Sequence, residues 1–266
     1  MLEFLLSTDA ILALLTLTFL EIILGIDNIV FISIAANKLP EHQRNKATNI
    51  GLVLAMVQRI VLLFFVSFLI GLSEPFYTYT SNWLKVALSW QAIILFAGGL
   101  FLLYKSTSEI REKVEEPSHD KDSLKSKTFK SLSHAITQIL IIDFIFSVDS
   151  ILTAVGMTNG LHPNPNYTLV LMIIAVVISI IVMIAFANPI RKFIDKNPSM
   201  QILGLAFLIL IGFMLITEAA HLSHTEFFGK SVGAIPKGYL YFAIAFSLFV
   251  EFLNLKTVRK KRSKKL

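Results

Sequence analysis

Apolar residues in this chain come in long runs, and polar residues come in short clusters between them. Seven runs are long enough to cross a bilayer as helices, at about 10–35, 50–72, 86–104, 134–157, 167–188, 201–219 and 237–255. Ser7 and Asp9 stand where a helix cap is expected for the first run. Pro75, Pro163, Pro165, Pro198 and Pro236 all fall between runs, where turns belong. The pattern predicts an all-α polytopic membrane protein with seven transmembrane helices.

Two of the runs are interrupted by acids. The stretch Leu20 to Ile34 carries Glu21, Asp27 and Asn28; the stretch Ile142 to Gly156 carries Asp143, Asp149 and Ser150. The spacing is the same in both: an acid, five residues, an Asp, then a small polar residue. A charged carboxyl near the bilayer centre costs about 3 kcal/mol on insertion scales, so four of them cost on the order of 12 kcal/mol. The match marks a repeat. Two fainter alignments extend it, Leu52-Val53-Leu54 with Leu169-Val170-Leu171 and Gly99–Lys105 with Gly212–Glu218. Each half then holds three spans. An odd number inverts the second half in the membrane, the plan of many secondary transporters with a site at the midplane.

Composition and charge fit this division. The chain has 266 residues, is 55% hydrophobic and carries a net charge of +6. Twenty of its Lys and Arg residues fall in segments 36–49, 105–133, 189–200 and 256–266, against three in the alternate loops. Those four segments share one side of a seven-span topology, so the N-terminus is expected outside and the C-terminus in the cytoplasm. The expected organisation is a first three-helix repeat at 1–104, a cytoplasmic linker at 105–133, an inverted second repeat at 134–219, an outer loop and seventh helix at 220–255, and a basic tail at 256–266. The linker mixes both charges with Pro117 and several serines and is expected to be solvated and partly disordered. The tail is expected to meet anionic lipid rather than nucleic acid.

The chemistry of the acids points to a cation. At about 1.5 Å of rise per residue, the inverted arrangement levels Glu21 with Asp149 and Asp27 with Asp143 on either side of the midplane. Glu21, Gly25 and Asn28 share one helix face, as do Asp143, Ser147 and Ser150. Asp27 and Asp149 lie about 120° off that face, which calls for a broad polar face or an unwound stretch near Gly25-Ile26 and Ser147-Val148. Arg59 is the one basic residue placed deep in a span, and it can hold one acid until an ion displaces it. One arginine cannot neutralise four carboxylates; protons or a bound cation must cover the rest. No cysteine exists and no His lies deep in a span, so the ligands are hard oxygens that suit Mn²⁺, Ca²⁺ or Mg²⁺ without choosing among them. Glu251 and Asn254 share a face of the last span and form a possible auxiliary pair. His221, His224 and Glu226 are read as a solvated loop, Lys105 and Glu218 as residues snorkelling from span ends. No nucleophile, base and orienting group come together in sequence, so no enzymatic activity and no prosthetic group are expected.

The stretches LEIILGIDNIVFIS and IDFIFSVDSILTAVG, with GGLFLLYK and VEFLNL, resemble the TerC family of integral membrane proteins over nearly all seven spans. The resemblance implies a protein of the bacterial inner membrane and an association with Mn²⁺ efflux. By motif, Glu21, Asp27, Asn28, Asp143, Asp149 and Ser150 would form the ion path. The expected function is therefore a secondary transporter exporting Mn²⁺, with proton exchange. The alternatives are export of another hard cation such as Ca²⁺, or a membrane assembly or metallation factor without net transport.

Overall fold

The computed structural model describes residues 2–37, 39–115 and 132–263. The disorder expected of the linker, from 116 to 131, and the last three tail residues lie outside the described residues. Among the described residues a short α1 (Leu2–Leu5) leads into α2 (Thr8–Asn37), α3 (Glu41–Phe64) and α4 (Val66–Gly71). Strands β1 (Pro75–Thr80) and β2 (Leu84–Ser89) precede α5 (Trp90–Glu115). There follow α6 (Leu132–Thr158), α7 (Pro165–Lys196), α8 (Pro198–Leu222), β3 (Glu226–Phe227), β4 (Lys230–Ser231) and α9 (Lys237–Ser263). Each of the seven predicted runs is helical over most of its length. Five helices among the described residues, α3, α5, α6, α7 and α8, are long and apolar enough to cross a membrane. The protein is a mostly helical, polytopic membrane protein.

The structure differs from the sequence expectation in several places. The fold is not all helix: the strands form one antiparallel sheet in the order β1-β2-β3-β4. The segment PFYTYT-SNW-LKVALS alternates aromatic, β-branched and small residues around a polar turn, which is a hairpin pattern. The predicted third span began at residue 86, inside β2, because an apolar strand running straight into an apolar helix leaves no break in hydropathy. The second run is two helices, since α3 ends at Phe65 (φ −94°, ψ 21°) before α4 begins. Helix α5 continues through Glu115, past the boundary set at 104, and α7 passes through Pro189 to Lys196. Finally, α2 and α6 are continuous helices, without unwinding at Gly25-Ile26 or Ser147-Val148.

Packing runs between the two predicted halves. Helix α5 lies along α8, α2 along α7, and α3 along α6, with α2·α6 and α3·α7 as further contacts. Gly99 of α5 lies against Gly212 of α8, backbone to backbone. A Cβ on Gly99 would stand 2.6 Å from the Gly212 carbonyl oxygen, and one on Gly212 would stand 2.9 Å from the Gly99 carbonyl oxygen. These two glycines were aligned as equivalents in the sequence. Small residues at a crossing let two membrane helices touch backbone to backbone. The sheet, the start of α5 and the start of α9 lie at one end of the bundle, the sheet end. The linker side, with the starts of α3, α6 and α8, is the opposite end.

The opposite end is fastened by polar side chains. Arg191 of α7 is 6% exposed and donates from Nη1 to Asp195 Oδ2 (2.8 Å) and from Nη2 to Asn45 Oδ1 on α3. Asn188 Nδ2 donates to Asn49 Oδ1 at 3.1 Å. Lys105, read as snorkelling from a span end, pairs with the buried Glu109 one turn on, at 2.7 Å. Helix α9 packs chiefly along α8 and turns Tyr239, Phe242, Phe246, Phe249 and Leu253 outward as an apolar stripe.

Candidate functional site

Glu21 on α2, Arg59 on α3 and Asp143 on α6 meet in the bundle interior, at 5%, 1% and 4% exposure. Each stands on an element whose other faces are apolar, so each is carried inward with no water to solvate it. The Arg59 guanidinium lies between the two carboxylates. Its Nη2 donates to Asp143 Oδ1 at 2.7 Å, and its Nε donates to both oxygens of Asp143 at 3.2 and 3.3 Å. Its Nη1 donates to Glu21 Oε2. Ser147, one turn after Asp143, donates to Asp143 Oδ2 at 3.2 Å. The planar fork of arginine suits such a two-sided contact, which a lysine could not make. The sum of formal charges is one positive against two negative, so the triad retains one negative charge if both acids are ionised.

Glu21 and Asp143 are the leading acids of the two repeat motifs, and one arginine serves both. The position matching Arg59 in the second half, by the alignment of Leu52 with Leu169, is the apolar Val176. The sequence reading gave Arg59 one acid; the structure gives it two. That reading sets Glu21 level with Asp149; in the structure Glu21 meets Asp143 through Arg59 and also shares a cavity with Ser150 and Thr153, which follow Asp149 on α6.

Two small cavities flank the triad. One, of about 10 Å³, is lined by Arg59 and Asp143 with Ile32, Ile139, Ile180 and Met183, on the side of the opposite end. Gly25, one turn after Glu21, admits the Met183 sulfur here, 2.0 Å from where a Cβ would stand. The other, of about 20 Å³, lies toward the sheet end and is lined by Glu21, Ser150, Thr153, Lys237 and Tyr241 among others. Each is about the size that holds a single water. Arg59 and Asp143 thus line one void and Glu21 the other, and both voids are walled mostly by apolar atoms.

Asp149 takes a partner that sequence reading had assigned to an outer loop. Lys237, the first residue of α9, donates to Asp149 Oδ2 at 2.7 Å and to Thr153 Oγ1 at 3.3 Å. The side chains are 26% and 13% exposed. Glu218 of α8 lies within electrostatic reach of both. Ser150 faces the sheet-end cavity and donates to the Ser147 carbonyl at 3.4 Å. Asp27 and Asn28 lie in α2, and their side chains fall outside the described residues. Glu251 and Asn254 do sit together, Nδ2 to Oε2 at 3.3 Å, and Ser199 of α8 donates to the other Glu251 oxygen at 2.5 Å. That group is remote from the triad and ties the far part of α9 to α8. No group of three or more His, Cys, Asp or Glu residues converges as a metal cage among the described residues. Glu21 and Asp143 are held by Arg59, and Asp149 by Lys237.

Known proteins supply the family. The sequence profile of the integral membrane protein TerC family matches residues 6–265. A UPF0053 protein of Haemophilus influenzae is 39% identical, over 97% of this chain and 99% of its own length. The UPF0053 inner membrane protein YgdQ of Escherichia coli is 42% identical, over 96% of this chain and 95% of its own. The UPF0053 inner membrane protein YoaE of E. coli is 41% identical over 95% of this chain, which corresponds to 44% of that longer protein. No solved structure matches. A profile that covers nearly the whole chain, on top of relatives matched end to end, means that the chain belongs to the TerC family of integral membrane proteins.

Proposed function

We propose that this chain is a secondary transporter that exports Mn²⁺ from the cytoplasm across a bacterial inner membrane. The observation that carries this reading is the buried triad: two carboxylates in matching places of the two sequence motifs, held by one arginine, with a small cavity against Asp143 and another against Glu21. A purely structural ion pair needs one acid per base. Here one acid is in excess, and an excess buried charge is stable only with a proton or a second cation. The contacts between the halves and the glycine pair at 99 and 212 support seven membrane crossings arranged as two inverted three-helix repeats plus one. The N-terminus and the sheet end would face outward, and the linker and tail the cytoplasm.

In this mechanism Mn²⁺ approaches from the opposite end, where Asp143 lines the first cavity. It competes with Arg59 for the carboxylate oxygens, and the guanidinium swings toward Glu21. Asp27 and Asn28 would complete an oxygen shell of the hard kind that Mn²⁺ accepts. The ion then passes to Glu21, Ser150 and Asp149, and leaves at the sheet end. Protons taken up by the emptied carboxylates return inward, so exchange is coupled. No prosthetic group and no enzymatic step enter. Anionic lipid at the basic tail and the ion itself are the partners.

The test is cellular Mn content and Mn sensitivity in a strain lacking other exporters. Wild type should lower Mn content, and Asp143→Asn, Asp149→Asn and Asp27→Asn should each lose that effect. Unchanged Mn content with the wild type would sink the reading. If Ca²⁺ rather than Mn²⁺ leaves the cell, the cargo is reassigned. A factor for membrane assembly or partner metallation would instead keep its phenotype in all three variants.

A further inference from the structure

Lys237 is the residue that neither the repeat nor the family motif singles out, yet it occupies a central place. It begins α9, the helix outside both repeats, and reaches back to Asp149, the trailing acid of the second motif, at 2.7 Å. Lys237 also lines the sheet-end cavity, together with Glu21, Ser150, Thr153 and Tyr241. A Lys ammonium is a compact monovalent cation with three donors, so at Asp149 it stands in for a transported cation. The contact is charge-assisted and largely shielded from water. Helix α9 itself packs chiefly on α8. It is fastened at its far part by Glu251 and Ser199, and at its start by this ion pair together with the buried Leu240.

The geometry points to Lys237 as a tethered counter-cation of the ion path, which closes the sheet-end cavity by occupying Asp149 and is displaced when cargo arrives. This deepens the transport reading and rests on it for the identity of the cargo. It adds a site residue and gives the seventh helix a role: α9 carries the closing group and the two repeats carry the acids. When a divalent ion reaches Asp149, the ammonium loses its partner, and the start of α9 is released from α6. With the ion gone, Lys237 returns to Asp149, and the protons of the exchange are taken up by the other emptied carboxylates.

The chain has no cysteine, so a single introduced thiol reports without background. Ala154 is 8% exposed and lines the same cavity. Ala154→Cys in the purified full-length chain would be reacted with a water-soluble maleimide, and its labelling rate compared across backgrounds. Lys237→Gln should speed labelling about tenfold, the lower bound of what a charge-assisted hydrogen bond is worth. Asp149→Asn should produce the same gain, and the two together should give no more than either alone. Lys237→Arg, which keeps the cation, should stay slow. Added Mn²⁺ should raise the rate of the parent toward that of Lys237→Gln. Equal rates in parent and Lys237→Gln, or gains that multiply when the two changes are combined, overturn the closing role. If the labelling pattern holds but Mn²⁺ leaves the parent unchanged, the closing role stands and Mn²⁺ as cargo falls.

Discussion

At the scale of residues, the triad makes a sharp claim about stability. Taking one partner from a buried ion pair leaves an uncompensated charge and costs about 3–5 kcal/mol. Arg59→Gln should therefore lower thermal stability in detergent strongly, because two carboxylates lose their common partner at once. Arg59→Lys should recover only part, since one ammonium cannot bridge Glu21 and Asp143 together. Adding Glu21→Gln and Asp143→Asn to Arg59→Gln should restore most of the loss; a triple variant no more stable than Arg59→Gln would show that the arginine acts through packing. Glu21, Asp143 and Arg59 were legible in the sequence, because charges within long apolar runs are rare and their spacing repeated. Lys237 was not. It stands beside Pro236 at the edge of a span, where a lysine reads as a topology signal, and nothing local shows that it turns inward. Arg191 and Glu109 were missed for the same reason: each lies just past an apolar run, on a helix that goes on beyond it.

Elements join here through a few close crossings. The α5–α8 contact depends on Gly99 and Gly212, each of whose Cβ positions falls within 3 Å of the other's carbonyl. Overpacking a fitted contact costs about 1–3 kcal/mol, and here the obstacle is backbone, which cannot turn aside. Gly99→Leu and Gly212→Leu should each reduce the folded yield and the unfolding temperature. Gly156→Ala in α6 meets nothing within 4 Å and should be neutral or gain up to about 1 kcal/mol from helix propensity. Comparable losses at all three positions would remove the special standing of the crossing. Sequence reading located these helices from hydropathy and matched the two glycines as equivalents. It could not place the sheet's partners. β2 pairs with β3 across more than 130 residues, Leu84 with Phe227 and Lys85 with Glu226, and two-residue strands leave no period to read.

For the whole molecule, orientation is the first test. With the sheet end outside, Thr80→Cys on the exposed β1 should react with an impermeant thiol reagent on intact cells, and Ser123→Cys in the linker only after permeabilisation. The reverse pattern would turn the transport direction around. A second consequence comes from the solitary arginine. Two inverted halves with identical chemistry would have inward-facing and outward-facing forms of equal energy, each the image of the other. Val176 in place of a second arginine removes that degeneracy. In the proposed transporter the molecule would then have a preferred idle posture, and the same ion would meet different opposition when loading from the two faces. An inverted duplication that keeps a basic group in one copy alone would carry a rectifier in its resting state.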